Sequence, residues 1–181
     1  AKFASSCADY YISLPPLASG LPRGAPQLGT IHALGPHFHA MAELRLNRWQ
    51  TFTGPNGDWY ATGVHVRELM AQAGYDPSRD IWAINEAGEP SGQSLGVDVL
   101  TKVEARRQLQ DFVRGLYAGN GVPNRGLVFA ADPTQVTTDL LGYRQALDGF
   151  YRDSVFWEDM SRYVDFWAQE SYMDARSWGV A

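Results

Sequence analysis

The chain of 181 residues has a single cysteine, Cys7, so it can build neither an internal disulfide framework nor a multi-cysteine metal site. Lysine is almost missing: Lys2 and Lys102 stand against 13 arginines, a bias of the kind that genome composition imposes. Basic residues are outnumbered, 15 Lys and Arg against 20 Asp and Glu, for a formal net charge of −5. An acidic chain without a basic stripe is not a general nucleic-acid binder, and no nucleic-acid partner is expected. No apolar run reaches the roughly 18 residues that a membrane helix needs, so no membrane partner is expected either. The phosphate-binding motifs G-x-G-x-x-G and Walker A do not occur, nor does the G-x-S-x-G nucleophile elbow, and no cofactor is expected. Ala1 opens the chain without an initiator Met or a charged-then-apolar leader. That reads as a processed or trimmed start and agrees with an extracellular, secreted setting.

Aromatic residues are abundant: 6 Trp, 9 Tyr and 8 Phe, within 45% hydrophobic residues overall. That load excludes disorder and is ample for one packed core. Short apolar runs alternate with longer helix-like stretches. Strands are expected over residues 9–14, 38–44, 81–85, 126–131 and 164–169. Helices are expected over 27–34, 59–73, 97–117 and 138–162, the last broken near Asp153. Asp58 is placed to cap the helix that starts at Trp59, and Gly74 to end it.

Strands joined by helical crossovers imply a parallel sheet, expected to be covered on both faces. Two α/β architectures fit: the first five units of a (β/α)8 TIM barrel, or a five-stranded doubly wound open sheet. The acids Glu43, Glu86, Asp132 and Glu170, each at or just after a strand end, recur at the wide, even spacing of barrel units. The open sheet normally binds its ligand at a Gly-rich first turn, whereas the first turn here is Leu14-Pro15-Pro16-Leu17. The barrel is favoured. Residues 1–181 are then a single α/β domain forming the N-terminal part of a larger barrel, completed by a longer chain or by a second chain.

Four strand ends share one pattern, an apolar run, an Ala, and a carboxylate within three residues: Ala42-Glu43, Ala83-Ile84-Asn85-Glu86, Ala131-Asp132 and Ala168-Gln169-Glu170. The C-terminal ends of parallel strands form the functional face of such folds, so these acids would converge on one mouth. A carboxylate there is costly unless paired, hydrogen-bonded or used. Asp132, followed by Pro133-Thr134, also suits an Asx-type turn.

The run Trp82-Ala83-Ile84-Asn85-Glu86 resembles the strand-end Asn-Glu of barrel glycoside hydrolases. In that family the Glu is the general acid/base and the Asn holds the sugar 2-hydroxyl, with the pair on the fourth strand. Here it falls on the third, unless an early strand lies near residues 30–34. More broadly, residues 8–17 (ADYYISLPPL), 166–170 (FWAQE) and 176–180 (RSWGV) resemble a poorly characterised family of actinobacterial secreted barrel proteins. The resemblance implies a barrel that continues past Ala181. Glycoside hydrolysis needs two carboxyl groups, one of them protonated. Glu86, Glu170 and Glu43 are the catalytic candidates, with Glu86 as acid/base, Glu170 as nucleophile and Glu43 as a third acid. Asn85, Trp82, Trp167, Asp132 and Tyr10 are the candidates for binding a carbohydrate substrate, the two Trp as sugar-stacking platforms.

His37 and His39 stand at period-two spacing with His32 nearby, but at the N-terminal end of a strand, so they read as surface or capping residues and no metal site is assigned. A rival within the enzyme class uses Glu43, Glu86 and Asp132 as oxygen ligands for a divalent cation. A non-catalytic carbohydrate-binding or assembly module is the third alternative.

Overall fold

The computed structural model describes residues 8–14, 25–45, 57–87, 103–118, 127–131, 149 and 152–169. Nine elements alternate along them: β1 (Tyr10–Leu14), α1 (Ala25–Ala33), β2 (Phe38–Arg45), α2 (Trp59–Gln72), β3 (Ile81–Ala87), α3 (Val103–Tyr117), β4 (Leu127–Ala131), α4 (Ser154–Met160) and β5 (Val164–Gln169). All five expected strands form. The segment 30–34 belongs mostly to α1, so it supplies no early strand, and among the described strands the Asn85-Glu86 pair lies on the third.

The strands make one sheet in the order β1-β2-β3-β4-β5, each neighbour parallel to the next. A doubly wound sheet reverses its strand order at a switch point, which sends helices to both faces. No reversal occurs among the described strands, whose order is sequential.

Strand alternation decides which residues enter the core. Leu14, Ala42 and Leu44, with Trp82 and Ile84 in register beside the last two, join α1's Leu28 and Ile31, α2's Val66 and Met70 and α3's Leu109, Val113 and Leu116 in one buried cluster. The intervening positions Tyr11, Ser13, His39, Met41 and Glu43 fall on the opposite face.

Local chemistry sets the helix ends. Asp58, extended at φ −79° and ψ 104°, accepts the Ala61 N–H at 2.9 Å and caps α2. At the other end Gly74 takes φ +100°, the Tyr75 N–H bonds the Met70 carbonyl at 2.8 Å, and the Gly74 N–H bonds Ala71 at 3.0 Å. That is a Schellman closure, which needs a residue tolerant of positive φ. Asp153 caps α4 through the Phe156 N–H at 3.0 Å, where the sequence places a break.

Helices α2 and α3 cross with backbone against backbone. A Cβ built on Gly63 would overlap the Phe112 carbonyl oxygen and lie 2.9 Å from the Leu116 nitrogen; one built on Gly115 would overlap the Tyr60 carbonyl oxygen and lie 2.9 Å from the Val64 nitrogen. Helices α3 and α4 are joined differently, by a polar ladder. Arg106 and Arg107 donate to the Asp153 carboxylate at 2.6 and 2.8 Å, and Gln110 and Arg114 to Asp159 at 2.8 and 2.7 Å. Burial pushes the Asp153 carboxyl up, but Arg107, the Phe156 N–H and Arg106 outweigh it and hold the group below the usual carboxylate range.

The N-terminal ends of the strands are tied together by the turn before β3. Asp80, 2% exposed, accepts the Ala40 N–H and the Asp76 N–H at 2.9 Å each, and both its oxygens lie 2.9 Å from His32 Nε2. A buried carboxylate is tolerable when donors surround it in this way. Arg79 donates to the Phe38 carbonyl at 2.9 Å through Nε and to the Gly35 carbonyl through Nη2, gripping the turn between α1 and β2.

Candidate functional site

All five strands run the same way, so their C-terminal ends lie along one rim. Ser13 sits one residue before the end of β1 and pairs in register with Met41. Glu43 is two residues further along β2, on the same face, opposite Ala83. The Ser13 hydroxyl donates to Glu43 Oε1, joining the first two strands at this rim. Ala83, its neighbour across the strands, brings no bulk beside the carboxylate.

Asn85 pairs in register with Arg45, two positions beyond the Glu43–Ala83 pair, and Glu86 follows it within β3 rather than after it. For these two residues the structure describes the backbone only. A register shift falls on them. From Ile84 to Ala87 β3 takes three steps, while β4 takes two from Phe129 to Ala131, so the Asn-Glu segment carries an extra residue against its neighbour. Where such a shift is a β-bulge, the strand bends locally.

Beyond β3, Ala131 and Gln169 are in register at the ends of β4 and β5. The acids that follow them, Asp132 and Glu170, lie outside the described residues. So does the side chain of Trp167, whose backbone pairs with Phe129.

Two of the proposed substrate-binding residues are corrected. Trp82 is 0% exposed, on the sheet face that meets the helices, with its ring 4.4 Å from that of Tyr75. A residue enclosed in the core offers no platform to a sugar. Tyr10 stands at the start of β1, at the opposite end from Glu43, its ring stacked on Phe38 at 5.2 Å.

On the face shared with Glu43, Tyr11 is 43% exposed and stacks on His39 at 5.0 Å. Partial burial raises its phenol above the usual range, and the carboxylates of Asp9 and Asp165 add to that rise. Asp165 belongs to β5, where a second register shift between β4 and β5 makes it an extra residue.

Sequence reading missed Ser13, the donor to Glu43. Its signal was available in the alternation of β1, where Ser13 is a polar residue on the face of Tyr11. His37 and His39 are engaged at the N-terminal rim, both against Asp9. Among the described residues no group of three or more His, Cys, Asp or Glu side chains is arranged to hold a metal ion. None of the described helices is long and apolar enough to cross a membrane. No protein-family model, curated protein or solved structure matches the chain.

Proposed function

We propose that this chain supplies the first five units of a (β/α)8-type barrel, and that the barrel hydrolyses glycosidic bonds of a polysaccharide outside the cell with Glu86 as general acid/base. The observation that carries the reading is the register shift at Asn85-Glu86, at the C-terminal end of a parallel strand. Bulges next to active sites re-aim side chains, and a parallel α/β sheet places its chemistry at this rim. The sequential strand order supports the barrel.

Glu43 stands on the strand next to Glu86 and is the second carboxylate nearest in the sheet. Glu170 directly follows β5 in the sequence. One of them completes the pair that glycoside hydrolysis requires, with Asn85 on the sugar hydroxyls. The remaining strands come from a longer chain or from a second chain.

The test is Glu86→Gln on the full-length protein, assayed by reducing-end release from a panel of polysaccharides. General acid/base assistance contributes about 10²- to 10⁴-fold. A loss of that size is expected, with saccharide binding and the unfolding midpoint retained. A variant that turns over as fast as the parent removes Glu86 from the chemistry. Binding without turnover in both proteins assigns the chain to carbohydrate recognition instead.

A further inference from the structure

Ser13 and Glu43 are carried by strands rather than by loops. β1 and β2 run in unbroken register from Tyr10–Phe38 to Leu14–Ala42, and β2 and β3 from Met41–Ile81 to Arg45–Asn85. Alternation buries Leu14, Ala42 and Leu44 in the core and leaves Ser13 exposed and Glu43 half-buried on the other face. The bond from the Ser13 hydroxyl to Glu43 Oε1 therefore crosses from one paired strand to the next. A serine oxygen is placed by a single side-chain rotation, so this one is nearly as fixed as the strand that holds it. A glutamate carboxylate is placed by several rotations and, left alone, spreads over many rotamers. Bonded through Oε1 to a fixed hydroxyl, it is held in one orientation, and among the described residues no donor engages Oε2. At an exposed position water can replace the hydroxyl as a donor, so the bond adds little to folding. What it fixes is direction.

We infer that Ser13 is a positioning residue and that Glu43, held by it, is the carboxylate that works with Glu86. The inference rests on the hydrolytic reading above and completes its pair. β2 is the strand beside β3, whereas β4 stands between β3 and β5, the strand that Glu170 follows. In hydrolysis the acid passes its proton to the leaving oxygen as the glycosidic C–O bond breaks. The second carboxylate acts through one oxygen, either bonding to the anomeric carbon until water displaces it or accepting a proton from the attacking water. Both actions depend on where that oxygen points, and a misplacement of about 1 Å can cost about 10²-fold in rate. A hydroxyl that sets this direction supports turnover rather than substrate binding, so its loss falls on kcat and spares KM.

The experiment measures kcat and KM for reducing-end release by the full-length protein and its Glu43→Gln, Ser13→Ala, Ser13→Thr and Glu86→Gln variants, with the unfolding midpoint of each. Glu43→Gln should lower kcat by at least about 10²-fold. Ser13→Ala should lower it about tenfold, with KM changed by less than about twofold and the midpoint kept. Ser13→Thr, which keeps the hydroxyl and suits a strand, should recover most of that loss. In a Glu43→Ala background Ser13→Ala should cost nothing further, because the group it acts through is gone. If Glu43→Gln or Ser13→Ala turns over like the parent while Glu86→Gln has lost activity, the pairing is overturned and the hydrolytic reading stands without it. A Ser13→Ala loss that persists undiminished in the Glu43→Ala background overturns the positioning role. Glu86→Gln as active as the parent, or a parent inert on every polysaccharide, instead brings down the hydrolytic reading, and the pairing falls with it.

Discussion

Asp80 and Glu43 are both carboxylates at a limit of a strand, one directly before β3 and the other near the end of β2, and the fold treats them in opposite ways. Asp80 is buried and surrounded by donors from α1, β2 and its own turn. Beside it Arg79 closes the carbonyls of another turn. Glu43, half-buried, receives one donor among the described residues, the Ser13 hydroxyl. A carboxylate whose acceptor sites are filled holds elements together, whereas one with spare acceptor capacity can meet a ligand. In parallel α/β proteins the N-terminal rim is the place for the first kind and the C-terminal rim for the second. The hydrogen bonding of these two acids follows that division.

The contrast makes unequal demands on stability. Asp80→Ala removes a buried acceptor from three donors at once, and should cost about 3–5 kcal/mol in urea unfolding. Asp80→Asn, which keeps one acceptor oxygen, should cost less. Arg79→Ala leaves the Gly35 and Phe38 carbonyls without their charged donor, and a loss of about 1.5–3 kcal/mol is expected by the same measurement. At the other rim Ser13→Ala should move the unfolding free energy by no more than about 0.5 kcal/mol, as for an exposed position. If the proposed glycoside hydrolysis holds, its effect should appear instead in saccharide binding or turnover, because Glu43 loses the Ser13 hydroxyl that donates to it. If Ser13→Ala destabilises as much as Arg79→Ala, the two rims do not differ in kind.

The order of the elements could be read from the chain because each carries a local cue. Apolar runs bounded by Pro, Gly and polar residues mark the strands, and Asp58, Gly74 and Asp153 mark helix limits through bonds within three to five residues. Facing was less legible. Ile81-Trp82-Ala83-Ile84 is apolar at every position, so alternation could not say whether Trp82 points to the helices or to the other face. Only its pairing with Ala42 settles that. Asp80 carries no local cue, because its partners His32 and Ala40 lie 48 and 40 residues away. The shift at Asn85-Glu86 has no local signature either. It arises from a mismatch in step between β3 and β4, which neither strand carries alone.

The Gly63–Gly115 crossing has a consequence for how this chain can vary. Interfaces made of side chains drift over time, since a larger residue on one helix can be matched by a smaller one on the other. Where two backbones touch there is no volume to exchange, and Arg67, which donates to the Gly115 carbonyl at 3.3 Å, ties the same spot again. Any chain that keeps this crossing keeps glycine at both positions, whatever happens to the residues around them. The pair is thus a two-letter fingerprint, one glycine in each of two successive helices, by which distant kin of this protein can be told from chains that share only its alternation of strand and helix.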